Sequence, residues 1–398
     1  MNRKRKNYIL GVLHGVFYFA SNAFVDYTTV LPSFLKYLLN SDMVIGFVAA
    51  IARGGSVFFQ LISAFYLEGK RKKPYLVAAL WVRFLSWVAI AVGSYLFLPD
   101  HPLLELILFI VCISIFSFAA GVAVIPFYDI ISYNIPADLL GRFWAVRQFV
   151  GGILAVGSGW IVKIVLAKYG YPEGYELLFV FAMVGFGLTS LSLGLMDEGR
   201  VQQKKNKSFK EFLSKAYEIF KNHKDFRVLI TSEFLSHSIF LCMPFIVLYT
   251  TKKLHFESLM IGYFVSAQMV GSIVSNLFWG YFADRKGAKF IIISVNLLAV
   301  SVPVLSALFK TPLSFILVFF LMGAYIHGVF IGYTNYLLKI APQQKRPTYV
   351  SIRGSFNALS YFLPTAGGLI ADKLSYDALF VISSAFALLS LLFSLRLK

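Results

Sequence analysis

The stretch Gly280-Tyr281-Phe282-Ala283-Asp284-Arg285-Lys286-Gly287-Ala288-Lys289-Phe290 is a polar turn set between two apolar runs. Asp284, Arg285, Lys286 and Lys289 crowd into it, whereas 260–279 and 291–309 carry no charge. A helix that crosses about 30 Å of hydrocarbon needs about 20 apolar residues. Each flanking run is therefore long enough to cross a bilayer, and the turn belongs at its surface. A weaker echo of the stretch stands at 64–74.

Composition extends this reading to the whole chain. Of the 398 residues, 58% are hydrophobic, 17% aromatic and 14% charged, and the mean hydropathy is +0.73. That excludes a soluble globular domain and predicts an integral membrane protein. The formal net charge of +18 would suit nucleic acid, but the lysines and arginines fall in short loops between apolar runs, where they act as topology signals. No nucleic-acid partner is expected. Cys112 and Cys242 both lie inside apolar runs, so neither a disulfide framework nor a metal site is implied, and no cofactor is expected.

Apolar runs fall near 8–31, 43–66, 75–98, 103–127, 143–166 and 176–196, then near 227–250, 258–281, 290–309, 313–338, 349–370 and 376–396. Continuous runs exclude a closed β-barrel, whose strands would be short and alternating. The predicted fold is all-α, with twelve transmembrane helices in two pseudo-symmetric six-helix bundles. The bundles are assigned to 1–196 and 227–398 and the cytoplasmic linker to 197–226. Within the linker Phe209, Phe212, Ala216, Ile219 and Phe220 recur at helical spacing. They predict a short amphipathic helix on the inner membrane surface, with a partly disordered linker as the alternative.

Basic residues set the orientation. Arg3, Lys4, Arg5 and Lys6 precede a first run without a small-residue cleavage site, so it reads as a retained span. With the N-terminus inside, the outer loops and span ends hold only Lys36, Lys163, Lys168, Lys252, Lys253, Lys310 and Lys373. The remaining loop charges fall inside, which predicts a cytoplasmic-membrane protein with both termini in the cytoplasm.

The two halves align with one another. Val44-Ile45-Gly46-Phe47 matches Met260-Ile261-Gly262-Tyr263, and the same offset sets Gly55-Ser56 on Gly271-Ser272 and Glu68, Lys70 and Lys73 on Asp284, Lys286 and Lys289. A second offset pairs Ile125 with Ile331, Pro136 with Pro342 and Arg147 with Arg353. Parallel repeats of this kind occur in secondary transporters. Gly280 to Lys289 resembles the loop signature G-x-x-x-D-R-x-G-R-K of the major facilitator superfamily, which recurs after the second and eighth spans. Two further loops resemble that family's proline-and-basic loops after spans four and ten: Ile135-Pro136 to Gly141-Arg142, and Ile340-Ala341-Pro342 to Arg346. The first signature departs from the pattern at Ala64, Glu68 and Gly69, the second at Ala288.

An ionisable group inside a span needs a partner, a wet cavity or a function. Those present are His14, Asp26, Arg53, Arg83, Arg147, Glu233, His237, His327 and Arg353. The resemblance implies that spans one, four, seven and ten line the cavity, which singles out Asp26, Glu233, His237 and His327. Asp26 and Arg53 lie at depths about two turns apart, so they are expected either as a structural ion pair or as a proton carrier with an anion-holding arginine. Glu233 and His237 share a helix face and read as a proton-handling unit or as a satisfied polar pair. His327, between Tyr325 and Gly328, reads first as a packing histidine. Arg83, flanked by Trp81 and Trp87, reads as a structural cation. Arg147 and Arg353 either snorkel to the inner surface or take part in a gate. In that gate the resemblance implies that Asp284, beside Arg285, meets Arg142 or Arg147, and that Glu68 meets Arg353.

These observations predict a secondary transporter of a small organic solute working by alternating access. Its other partners are protons and membrane lipid, and it is read as a monomer. Efflux of drugs or metabolites is placed slightly ahead of uptake of sugars or organic acids, and a transport-inactive sensor or scaffold on the same fold is the alternative. No G-x-x-x-x-G-K-[ST] or H-E-x-x-H motif occurs, so neither ATP drive nor an enzyme is expected.

Overall fold

The computed structural model describes residues 3–67, 70–197 and 218–397, and among these every regular element is helical. The first half contains α1 (Arg3–Phe24), α2 (Val30–Leu38), α3 (Asp42–Tyr66), α4 (Lys73–Phe97), α5 (Pro102–Asn134), α6 (Ala137–Tyr169) and α7 (Glu173–Gly194). The second contains α8 (Lys224–Ser236), α9 (Ile239–Leu248), α10 (Leu259–Leu308), α11 (Pro312–Ile340), α12 (Arg346–Ser360), α13 (Leu363–Lys373) and α14 (Tyr376–Leu395). The helices follow the twelve expected spans in order, and eight described stretches are long and apolar enough to cross a membrane. The amphipathic helix expected at 209–220 falls mostly outside the described residues, as do Glu68 and Gly69 of the first signature copy.

Continuous hydropathy conceals breaks in three spans. The first divides between α1 and α2, where the Asp26 carboxylate accepts from the Thr28 backbone N–H at 2.8 Å and from the Thr29 hydroxyl at 3.0 Å. This local side-chain turn competes with the helix for its donors. The seventh span divides at His237 and Ser238, between α8 and α9, where the bonds from the Phe240 and Leu241 N–H groups tighten to a three-residue spacing. The eleventh divides at Tyr361 and Phe362, just ahead of Pro364. α10, by contrast, runs through two spans and breaks at Gly287, whose φ of 78° and ψ of 172° suit glycine alone. This is the turn that opened the sequence. Lys289 Nζ ties it to the end of α14, donating to the Leu395 carbonyl at 3.2 Å and to the Leu397 carbonyl.

The chain divides into two compact units. One comprises Met1–Asn40, Val48–Asn206 and Phe256–Ser266, the other Ser41–Phe47, Lys207–His255 and Ala267–Lys398. In unit 1, Phe34 of α2 packs into a ring cluster with Phe109, Tyr175 and Phe179, 4.8 Å from the Phe179 centroid. A second cluster gathers Leu76, Ile131, Phe143 and Met196. Each unit repeats one close helix crossing, between its second and fourth spans. A Cβ on Gly121 would lie 2.1 Å from the Ser56 carbonyl oxygen, and one on Gly323 would lie 2.0 Å from that of Gln268. Only backbone fits at these crossings, as in other membrane helix pairs with small residues at the contact.

Gly323→Ala is therefore expected to lose about 1–3 kcal/mol to overpacking. Gly354→Ala, which would meet open space, is expected to gain up to about 1 kcal/mol of helix propensity. Thermal unfolding in a non-ionic detergent reads both; shifts of the same sign would contradict the crossing.

Candidate functional site

The two interrupted spans of unit 2 face one another across a buried polar seam. On α8, Glu233 and His237 are one turn apart and share a face; on α12, Arg353, Asn357 and Ser360 do the same. Arg353 grips Glu233 with two donors, Nε to Oε2 at 2.7 Å and Nη2 to Oε1 at 2.5 Å. Its third donor, Nη1, reaches Thr334 Oγ1 on α11 at 2.8 Å. Asn357 Nδ2 adds a bond to Glu233 Oε1 at 2.9 Å, which leaves its own Oδ1 buried without a partner. The His237 ring places Nδ1 2.7 Å from Ser360 Oγ, so a side chain at each break meets the other. With Glu233 1% and Arg353 8% exposed, the charges are withdrawn from solvent and compensated chiefly by each other.

A satisfied layer supports this seam. Ser232 Oγ lies 2.9 Å from the Tyr333 hydroxyl, which donates to Asn296 Oδ1 at 3.1 Å, and Ser390 Oγ donates to the Ser232 carbonyl at 2.6 Å. One turn on, the Tyr325 hydroxyl donates to the Ser236 carbonyl at 3.0 Å. The phenols on α11 therefore position α8.

The structure distributes the sequence candidates among different partners. Glu233 and His237 share a face, but the carboxylate turns to Arg353 and the imidazole to Ser360. Asp26 serves the α1–α2 break, whereas the Arg53 guanidinium lies over the Tyr27 ring at 5.3 Å. His327 approaches Asn276 on α10 at 3.4 Å. Asp284 is exposed at the turn, Arg285 lies over the Tyr281 ring at 4.5 Å, and Arg142 is exposed near the start of α6. Arg353 does not snorkel, being held by Glu233; Glu68, its expected gate partner, is outside the described residues.

Unit 1 holds two further buried arginines. Arg147 of α6 reaches α1, with Nη2 3.3 Å from His14 Nδ1 and its guanidinium among the Phe19, Phe127 and Trp144 rings. Arg83 of α4 has its guanidinium 4.2 Å from the Phe116 centroid and 5.6 Å from that of Tyr18. Its aromatic neighbours thus come from other helices, not from the flanking Trp81 and Trp87. Each arginine is 8% exposed, and the Nε of each is buried without a hydrogen-bond partner. Sequence reading had the residues but not their convergence on His14 and Tyr18, which are a turn apart on α1.

A clasp at the start of α3 was also missed. Asp372 of α13 accepts from the Asp42 and Met43 backbone N–H groups at 2.8 and 2.9 Å and from Ser41 Oγ at 3.1 Å, satisfying the open N-terminal donors of α3. Asp42 in turn pairs with Lys252 at 2.7 Å and accepts from the Tyr376 hydroxyl at 2.5 Å. The usable signal was an acidic residue at a span start with a lone carboxylate late in another span.

With this geometry in hand, residues 228–398 match the family model described as Major Facilitator Superfamily. That stretch, which holds the Glu233–Arg353 seam, is similar to the major facilitator superfamily. Solved structures of the same fold include nucleoside transporter NupG, at 17% identity over 100% of this chain and 99% of that one, with a TM-score of 0.69. A bacterial homologue of the iron transporter ferroportin matches at 15% identity, covering 99% of this chain and 98% of that one, with a TM-score of 0.74. The xylose transporter XylE from E. coli matches at 15% identity over 100% and 98%, with a TM-score of 0.72. No curated protein sequence gives a significant match. At these identities the likeness concerns the fold alone. Among the described residues, no group of three or more His, Cys, Asp or Glu is placed to hold a metal ion.

Removing one member of a buried pair leaves the other charge uncompensated, at a cost of about 3–5 kcal/mol. Glu233→Ala is expected to show that loss in detergent unfolding, and Glu233→Ala/Arg353→Ala to lose clearly less than the two single changes together. Additive losses would show that the two charges do not support one another.

Proposed function

We propose that this protein is a proton-coupled secondary transporter of a small organic solute in the cytoplasmic membrane, with both termini in the cytoplasm, working as a monomer by alternating access. Export is the direction adopted. The observation that carries the reading is the Glu233–Arg353 pair at the meeting of two interrupted helices. Interrupted spans in transporters place binding groups inside the membrane, where backbone and side chains can change partners.

The coupling step involves Glu233 alone as proton carrier. Charged, it is held by Arg353 and Asn357. On taking a proton it loses the ionic part of that grip and becomes a hydroxyl donor, for which the unpartnered Asn357 Oδ1 is an acceptor on the adjacent side chain. Arg353 then keeps Thr334 and is freed to exchange partners. His237, bonded to Ser360, joins α8 to the α12–α13 break, so a change at Glu233 acts on both interrupted spans. Asp26, engaged with its neighbouring threonines, is assigned to shaping the α1–α2 break.

Reconstitution into liposomes with an imposed pH gradient tests this, using radiolabelled xylose, uridine and glycerol 3-phosphate and an enclosed pH dye. The wild type is expected to accumulate at least one solute against its gradient, with accompanying proton flux that a protonophore abolishes. Glu233→Gln should keep solute exchange at equal concentrations while losing gradient-driven accumulation by tenfold or more. Undiminished accumulation in Glu233→Gln would remove it as the carrier, and flux of none of the probes would favour a sensor or scaffold.

A further inference from the structure

We infer that unit 1 contains a binding site for a doubly charged phosphate group, with Arg83 and Arg147 as its two cationic contacts and His14 and Tyr18 between them. The assignment names the solute class of the transport reading and rests on that reading for its purpose, though not for its measurement.

The first argument is unmet charge. Both arginines are buried, both keep an Nε with no partner, and among the described residues neither forms an ion pair. Arg147 lies 3.3 Å from the His14 ring, His14 stacks on Tyr18 with centroids 6.0 Å apart, and the Arg83 guanidinium is 5.6 Å from the Tyr18 centroid, so the two charges share one neighbourhood. Aromatic faces such as Phe116 favour a cation, but they offer no lone pair to an N–H donor.

Unit 2 supplies the second argument by contrast. Arg353 and Arg147 align in the sequence repeat, and each extends from the fifth span of its half to a side chain on the first. In unit 2 that side chain is Glu233, which accepts two of the arginine's bonds. In unit 1 it is His14, which brings no negative charge. Among the described residues no side chain supplies the balancing anion, and its place is suited to one carried by a ligand.

The third argument is that the site is built. The Arg147 side chain lies on bare backbone at Gly15: a Cβ there would fall 2.2 Å from Arg147 Cγ and 2.4 Å from Nε. Packing against α1 thus fixes the arginine while leaving donors unspent. Two fixed guanidiniums with further donors from Tyr18 and His14 match a phosphate monoester, whose several oxygens and two charges can satisfy both cations; a single carboxylate would balance only one.

The test measures thermal unfolding by tryptophan fluorescence of the full chain in a non-ionic detergent at constant ionic strength. Inorganic phosphate and glycerol 3-phosphate are titrated against chloride, and dihexanoyl phosphatidic acid is a third arm. A saturable rise in Tm is expected with the two soluble phosphates. Apparent affinity should fall tenfold or more in Arg83→Gln and in Arg147→Gln, and vanish in the double variant. Gly15→Ala, which displaces Arg147 without removing a charge, should weaken binding to a similar degree. Where a glutamine variant does not fold, Arg83→Lys or Arg147→Lys replaces it; these keep the charge but lose the paired donors, and binding should still weaken. No saturable rise in the wild type, an undiminished rise in the variants, or a rise with the lipid arm alone would overturn the proposal. Glu233→Gln is expected to bind phosphate as the wild type does, so failure of proton coupling and failure of this site give different results.

Discussion

Withdrawing a carboxylate and a guanidinium from water costs several kcal/mol for each ion, and the contact between them repays it only when the geometry is good. The Glu233–Arg353 pair meets that condition with two short bonds, helped by Asn357 and Thr334. Unit 2 is organised by this constraint. It fixes the face that α8 turns toward α12, and the breaks following both helices lie within a turn or two of it. The break in the eleventh span follows from Pro364, which denies a backbone donor to Ser360, whereas at the seventh the His237 and Ser238 carbonyls are taken up by the tighter bonds from Phe240 and Leu241. Local backbone bonding thus sets where the helices yield, and the buried pair sets what holds them together.

The halves share this plan but resolve its charge differently. An arginine from the fifth span crosses to the first in each, where it meets the Glu233 carboxylate in the second half and the His14 imidazole in the first. Unit 1 instead seats Arg147 on the backbone at Gly15 and surrounds it with rings. An internal counter-ion makes a site that a proton can switch, whereas a missing one makes a site that a ligand can complete. The asymmetry underlies the proposed division of labour, in which Glu233 would carry the proton and the two arginines of unit 1 would hold the solute.

Much of the fold was legible because hydrophobic runs of membrane length leave few alternatives, and the charged turn around Gly287 separates two of them. The breaks in the first, seventh and eleventh spans were not, since hydropathy averages over a turn and is blind to the loss of one backbone donor. The prolines were present in the sequence without a rule to weigh them against an unbroken apolar run. For the site, sequence gave the ionisable residues but not their partners. Glu233 was matched with His237 by spacing on one helix, but the stronger claim came from Arg353, 120 positions away. Asp26 was matched with Arg53 by depth, but two threonines next to it in sequence took its carboxylate. Arg83 and Arg147 lie on different helices, and only tertiary packing brings both to His14 and Tyr18.

The central claim is that Glu233 exchanges its bond with Arg353 for a proton. Infrared difference spectroscopy of the protein in lipid, recorded as the pH is lowered, observes that exchange directly through the carbonyl stretch of a protonated carboxyl group. The account predicts that a band from a buried carboxylic acid grows in on acidification and is missing from Glu233→Gln. The same band at full strength in Glu233→Gln, or none in the wild type across the range in which the protein stays folded, would contradict it.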